Sequence, residues 1–153
     1  VDETDLQQTI AKGKGLLTAT QDYREAAVNS DVTFVIVPTP SDDQGGYALD
    51  YAESAFREIG QAVATLDRYH LVVLTSTVLP GATIRSLIPI LEQSSGKKAG
   101  PDFGVCYSPE FVALGSVVRD LLAPDLILIG ESDREAGDLL EEFDNGVQYR
   151  NSC

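Results

Sequence analysis

Histidine is nearly missing from this chain: His70 is the only one in 153 residues, and cysteine occurs twice, as Cys106 and Cys153. With no second histidine and no Cys-x-x-Cys spacing, the sequence offers no metal site. Two cysteines do not make a disulfide framework. Cys106 lies in an apolar run, where a buried thiol acts as a small hydrophobe, and Cys153 ends the chain and reads as an exposed thiol rather than a placed nucleophile. Basic residues are scarce too. Lys and Arg number 11 against 24 Asp and Glu, a net charge of −13, which disfavours nucleic acid or an anionic membrane surface as partner because both require clustered positive charge. Residues 131–144 carry seven carboxylates against the single Arg134 and read as a solvated helix face. No apolar run approaches the roughly 18 residues of a membrane span, and the opening Val1-Asp2-Glu3 is acidic where a secretory signal is basic. A soluble, cytoplasmic protein is the expectation.

What is present is an alternating α/β pattern. A chain of this length buries roughly 70% of its unfolded surface, enough for one core. Residues 2–12 read as a short helix with Leu6 and Ile10 on one face, stopped by Gly13 and Gly15. Residues 16–20 read as a strand, and Asp22 caps a helix ending near Asn29. Ala52, Ala55, Phe56, Ile59, Val63 and Leu66 repeat at helical spacing and predict a helix over 50–66. Ile84, Leu87, Ile88, Ile90 and Leu91 predict another, ending before Ser94-Ser95-Gly96. A short helix over 116–122, a strand over 126–130 and a helix over 133–143 complete the order, with no internal repeat.

Three apolar runs are continuous rather than alternating: 31–37, 70–75 and 103–106. That is the pattern of strands covered on both faces in a parallel sheet. Each run is closed by a polar string: Val37-Pro38-Thr39-Pro40, Ser76-Thr77-Val78-Leu79-Pro80-Gly81 and Tyr107-Ser108-Pro109-Glu110-Phe111. The strings therefore sit at strand carboxyl ends, the rim where open α/β sheets bind ligands. Three on one rim imply one site. His70 precedes its strand on the opposite side and reads as a surface or strand-start residue.

The order V-P-T-P, S-T-V-x-P-G, S-P-E-F and then P-D-L-I-L-I-G from Pro124 to Gly130 resembles the UDP-glucose/GDP-mannose dehydrogenase family, from about Asp2 to Phe143. The resemblance implies a Rossmann-like, doubly wound, mainly parallel sheet, NAD as cofactor, and oxidation of a nucleotide sugar's primary alcohol to a carboxylate, here a UDP-sugar of the UDP-glucose or UDP-N-acetylhexosamine type. Such enzymes serve polysaccharide biosynthesis and usually dimerise through a linking helix. The fold is expected to be truncated. A dinucleotide-binding half opens with a strand and a Gly-rich turn, followed by an acidic residue about 20 positions on. Gly13-Lys14-Gly15 precedes a strand and lacks the third glycine, so it reads as a helix stop. The expected organisation is a partial NAD-binding domain over 1–143 and a tail over 144–153, inactive alone, because the family's catalytic cysteine lies in a later segment before a Lys-Asp pair that Asn151-Ser152-Cys153 does not match.

Among the residues that carry chemistry, Thr39 is locked between two prolines that fix its geometry. The resemblance makes it a cofactor contact; as a plain strand end it would satisfy its hydroxyl on nearby backbone. Thr77 stands before a Pro-Gly turn and a helix start, and the resemblance gives it a catalytic water and a cofactor contact; the alternative for Ser76 and Thr77 is helix capping. Glu110, after an apolar strand and Pro109, sits where a carboxylate is partly desolvated and its pKa raised for acid/base work. The resemblance puts it beside nicotinamide and sugar, with Phe111, Val112, Ala113 and Leu114 giving substrate contacts. Alternatively Glu110 pairs with Arg119 or caps a turn. The common P-E-F-L-x-E-G form has a glutamate where this chain has Leu114, which leaves the sugar and the acid/base assignment open. A non-catalytic nucleotide- or protein-binding α/β module is the competing function. A hydroxyacid dehydrogenase is disfavoured by S-P-E-F in this position.

Overall fold

The structure, a computed structural model, describes residues 3–41 and 45–149, with the backbone alone at 147–149. The continuous apolar runs form β1 (Val32–Val35), β2 (His70–Leu74) and β3 (Phe103–Tyr107), joined in parallel. Val32 pairs with Leu71 and His70 with Phe103. A two-residue strand, β4 (Gly130–Glu131), closes the order β1-β2-β3-β4 and runs antiparallel to β3. Every residue of β2 is buried, which is why its run is apolar without alternation.

The pleat sends alternate side chains to opposite faces. Val72, Leu74, Phe103 and Val105 join the larger core, under α3 (Asp50–Val63) and α4 (Ile88–Ser95). Leu71, Val73 and Cys106 meet Ala136 and Leu140 of α6 (Arg134–Tyr149) on the other side. Helices thus cover both faces, the doubly wound arrangement expected. Gly104 lets α6 approach closely, since a Cβ there would collide with the Tyr69 hydroxyl and the Ala136 Cβ. Burial drives the Cys106 thiol up to about 12, so it packs as a hydrophobe. Cys153 lies outside the described residues.

Helix signals hold where local chemistry suffices. Asp22 accepts from the Arg24 and Glu25 amides and caps α2 (Tyr23–Val28). α3 buries the predicted face, and α4 ends at Gly96 with φ 68°. α1 (Leu6–Gly13) stops at its glycines but, like the short α5 (Val117–Leu122), buries no residue.

Four expectations change. Residues 16–20 form no strand: Leu16 is 84% and Leu17 74% exposed, and the segment pairs with no described strand. A strand exists only through its ladder, so β-prone sequence alone does not make one. Of 126–130 only Gly130 enters the sheet, through the antiparallel pair Tyr107–Gly130, and Leu126 and Leu128 are exposed. The helix expected over 133–143 is longer, since α6 continues past Phe143 to Tyr149. His70 starts its strand but is fully buried, with Nε2 2.8 Å from the Thr33 hydroxyl.

Candidate functional site

The three polar strings follow β1, β2 and β3 directly and are knitted together at the carboxyl rim. The Thr75 amide donates to the Val35 carbonyl at 3.0 Å, and the Ser108 amide to the Leu74 carbonyl at 2.9 Å. The Ser76 hydroxyl accepts from the Val37 amide at 2.6 Å and donates to the Val37 carbonyl at 2.7 Å. Ser76 is therefore a clasp between neighbouring strand exits, not the cap that its position before a helix suggested.

Thr39 is half-buried beyond that clasp. The far end of its loop is held where the Ala48 amide donates to the Pro40 carbonyl at 2.8 Å and Ser41 bridges Tyr47. Thr77 is exposed, and its chain turns at Gly81 (φ 86°) into a π-helical segment, Thr83–Leu87, continuous with α4. Arg85 donates to the Pro80 carbonyl at 2.8 Å and lies over Gly81, where a Cβ would come within 2.6 Å of the guanidinium. Neither threonine hydroxyl hydrogen-bonds another described residue, so the backbone-satisfied and capping alternatives are both absent.

Glu110, Phe111 and Val112 line a cleft of about 350 Å³ on the α6 side of the rim, together with Ser108, Phe34 and Phe143. The Phe34 and Phe143 rings in its lining lie 5.2 Å apart between centroids. Glu110 is exposed, so the desolvation expected of it is not supplied by the described residues. Nor does it pair with Arg119, which bonds Asp120 at 2.8 Å. The Ser116 hydroxyl first, then the Ala113 amide and Arg119, hold the Asp120 carboxyl down at about 2. Burial pushes Asp144, also in this cleft, upward. Ala113 and Leu114 stay outside the cleft; Leu114 is 86% exposed.

The candidate residues thus share one rim but not one cavity, since neither Thr39 nor Thr77 lines the Glu110 cleft. A larger hollow, about 760 Å³ between α2 and α3, contains none of them. Sequence reasoning missed Ser76, Phe34 and Asp144. The available signal for Ser76 was a hydroxyl two residues past a wholly buried strand.

Residues 1–145 match the UDP-glucose/GDP-mannose dehydrogenase family, NAD binding domain. The chain belongs to this family. It is 44% identical over 143 residues to the GDP-mannose 6-dehydrogenase of Pseudomonas aeruginosa, covering 92% of this chain and 33% of that protein. It is 40% identical over 128 residues to the UDP-glucose 6-dehydrogenase of Haloferax volcanii, covering 83% and 30%. Its fold is similar to that in a ternary complex of GDP-mannose dehydrogenase from Pseudomonas aeruginosa, with TM-score 0.89, 42% identity, and 95% and 34% of the two chains covered. It is also similar to a UDP-glucose dehydrogenase of the archaeon Pyrobaculum islandicum, with TM-score 0.85, 33% identity, and 96% and 34% covered. The chain spans about a third of the length of these relatives. Family membership brings NAD as cofactor and a Rossmann-like fold. Among the described residues no helix is long and apolar enough to cross a membrane.

Proposed function

We propose that this chain is the NAD-facing part of a nucleotide-sugar 6-dehydrogenase, which oxidises the sugar's C6 alcohol to a carboxylate. The observation that carries the proposal is the knitted rim: three strand exits side by side, with the Thr39 and Thr77 hydroxyls uncommitted among the described residues. Uncommitted hydroxyls at a fixed spacing suit the carboxamide and ribose chemistry of NAD, and an extended dinucleotide matches a site spread along the rim. When bound, NAD accepts hydride.

The chain's own residues do the rest. Thr39, stiffened by its prolines, contacts the cofactor. Thr77 contacts it too and holds the water that completes acid formation. Glu110 faces the reacting carbon from the cleft, and its segment, Phe111 to Leu114, lies against the nucleotide sugar. The exposed Glu110 gains its desolvation from bound ligand, which expels water from the cleft.

A UDP-sugar and GDP-mannose are the two candidate substrates, since relatives acting on each are similar to this chain. The test is NADH formation by the complete protein with UDP-glucose, a UDP-N-acetylhexosamine and GDP-mannose in turn. Turnover of one of them is expected, and none with any would leave the non-catalytic module. Sedimentation of the same sample tests the homodimer that the resemblance implies.

A further inference from the structure

We infer that Ser76 is a positioning residue, setting the cofactor loop 37–40 against the Thr77 turn through its two bonds to Val37; this rests on the proposed dehydrogenase function. The sequence Val37-Pro38-Thr39-Pro40 leaves the loop short of donors, its far end being held through the Pro40 carbonyl by the Ala48 amide. Proline has no N–H, so within the loop only Val37 and Thr39 can donate from the backbone. Ser76 takes hold of the first of these, at both its amide and its carbonyl, at 2.6 and 2.7 Å.

The grip is rigid on both sides. Ser76 is 8% exposed, follows the wholly buried β2, and its own amide donates to the Val35 carbonyl at 3.4 Å. Beyond Val37, each proline fixes its own φ and restricts its predecessor's ψ, so orientation set at Val37 is carried to Thr39 two residues on. Thr77 is the residue next to Ser76. Together with the Thr75 and Ser76 amides on the Val35 carbonyl, this hydroxyl sets the spacing between the two groups assigned to the cofactor. A single hydrogen-bonded pair linking residues 39 apart does what neither loop can do alone.

The test is calorimetric titration of the complete protein with NAD, alongside steady-state kinetics, wild type against Ser76→Ala, with the dissociation constant for NAD expected to follow its KM. Loss of the clasp is expected to raise KM for NAD about tenfold while kcat and KM for the nucleotide sugar stay within about twofold, the effect of one net hydrogen bond on one ligand. Ser76→Thr, which keeps the hydroxyl, is expected to restore most of the loss. A Ser76→Ala, Thr39→Val double variant should be no worse than Thr39→Val alone, because the serine acts through that threonine. Unchanged KM for NAD, equal loss for both substrates, additive effects in the double variant, or a Ser76→Ala protein that does not fold would each overturn the positioning role. A wild-type protein that neither binds NAD nor forms NADH would instead overturn the function on which the inference rests.

Discussion

The two ends of the strands spend their polar groups differently. At the amino end the protein consumes most of them, the buried Nδ1 of His70 excepted. Arg68 bonds Asp31 at 2.8 Å and donates to the carbonyls of Ala27, Val28 and Ser30, closing the end of α2. Tyr69 donates to Asp133 at 3.2 Å, and His70 meets Thr33. Burial first, then the Asp133 charge, drives the Tyr69 hydroxyl above its ordinary pKa. At the carboxyl end, Thr39, Thr77 and Glu110 make no side-chain hydrogen bond to another described residue, whereas Ser76, Arg85 and Asp120 are committed. One end spends its polar groups on the fold, while the other keeps three of them open for the ligand that the proposed function places there.

Stability measurements on the two ends break or sharpen this contrast. The largest effect is expected from Gly104→Val, where the new side chain runs into Tyr69 and Ala136 and forces α6 off the sheet. Denaturant unfolding should show a loss of about 3 kcal/mol or more. A neutral result would mean that α6 does not pack as described.

His70 comes next. Burial, then the nearby Arg68 charge, holds its pKa down at about 4, against an ordinary 6.5. The unfolded chain therefore takes up a proton that the folded one refuses. The stability at stake is complete above about pH 6.5, drains away as pH falls towards 4, and is lost in full below that, a total of roughly 3 kcal/mol. Unfolding free energies from pH 7 to 4, wild type against His70→Asn, check this: the gap between the two proteins should close across that window. A constant gap would mean that the buried histidine is not the proton-linked group.

Arg68→Ala should cost about 1 to 2 kcal/mol through the three carbonyls it releases. Asp31→Ala should cost under about 0.5 kcal/mol, since that carboxylate is 89% exposed. Comparable losses would move the weight from the carbonyls to the ion pair. The smallest stability effects belong to the rim: Thr39→Val and Thr77→Ala should each shift stability by less than about 0.5 kcal/mol. A larger loss would show that these hydroxyls hold the fold together, and the contrast between the two ends would fail.

Legibility in the sequence followed how local each cause was. β2 was readable because a strand buried on both faces must be apolar throughout, and α2 because Asp22 caps within three residues. The rim strings were readable because they close such runs. Residues 16–20 and 126–130 misled because pairing is not local: the first found no described partner, and the second met β3 only at its last residue. The same limit hid the Ser76 clasp, whose partner is 39 positions away, and the contact between Phe34 and Phe143. Glu110 was placed on the rim correctly, yet its exposure depends on how the loop leaves Pro109, which no pattern encodes.

The most direct test of a ligand-facing rim is turnover of the complete protein with NAD and its preferred nucleotide sugar, wild type against Thr77→Ala. The expected result is active wild type and a variant slowed about 100-fold or more with its unfolding midpoint unchanged, the signature of a group spent on chemistry rather than folding. A variant as active as wild type, or one that loses activity only because it unfolds, would contradict the division between the two ends of the sheet.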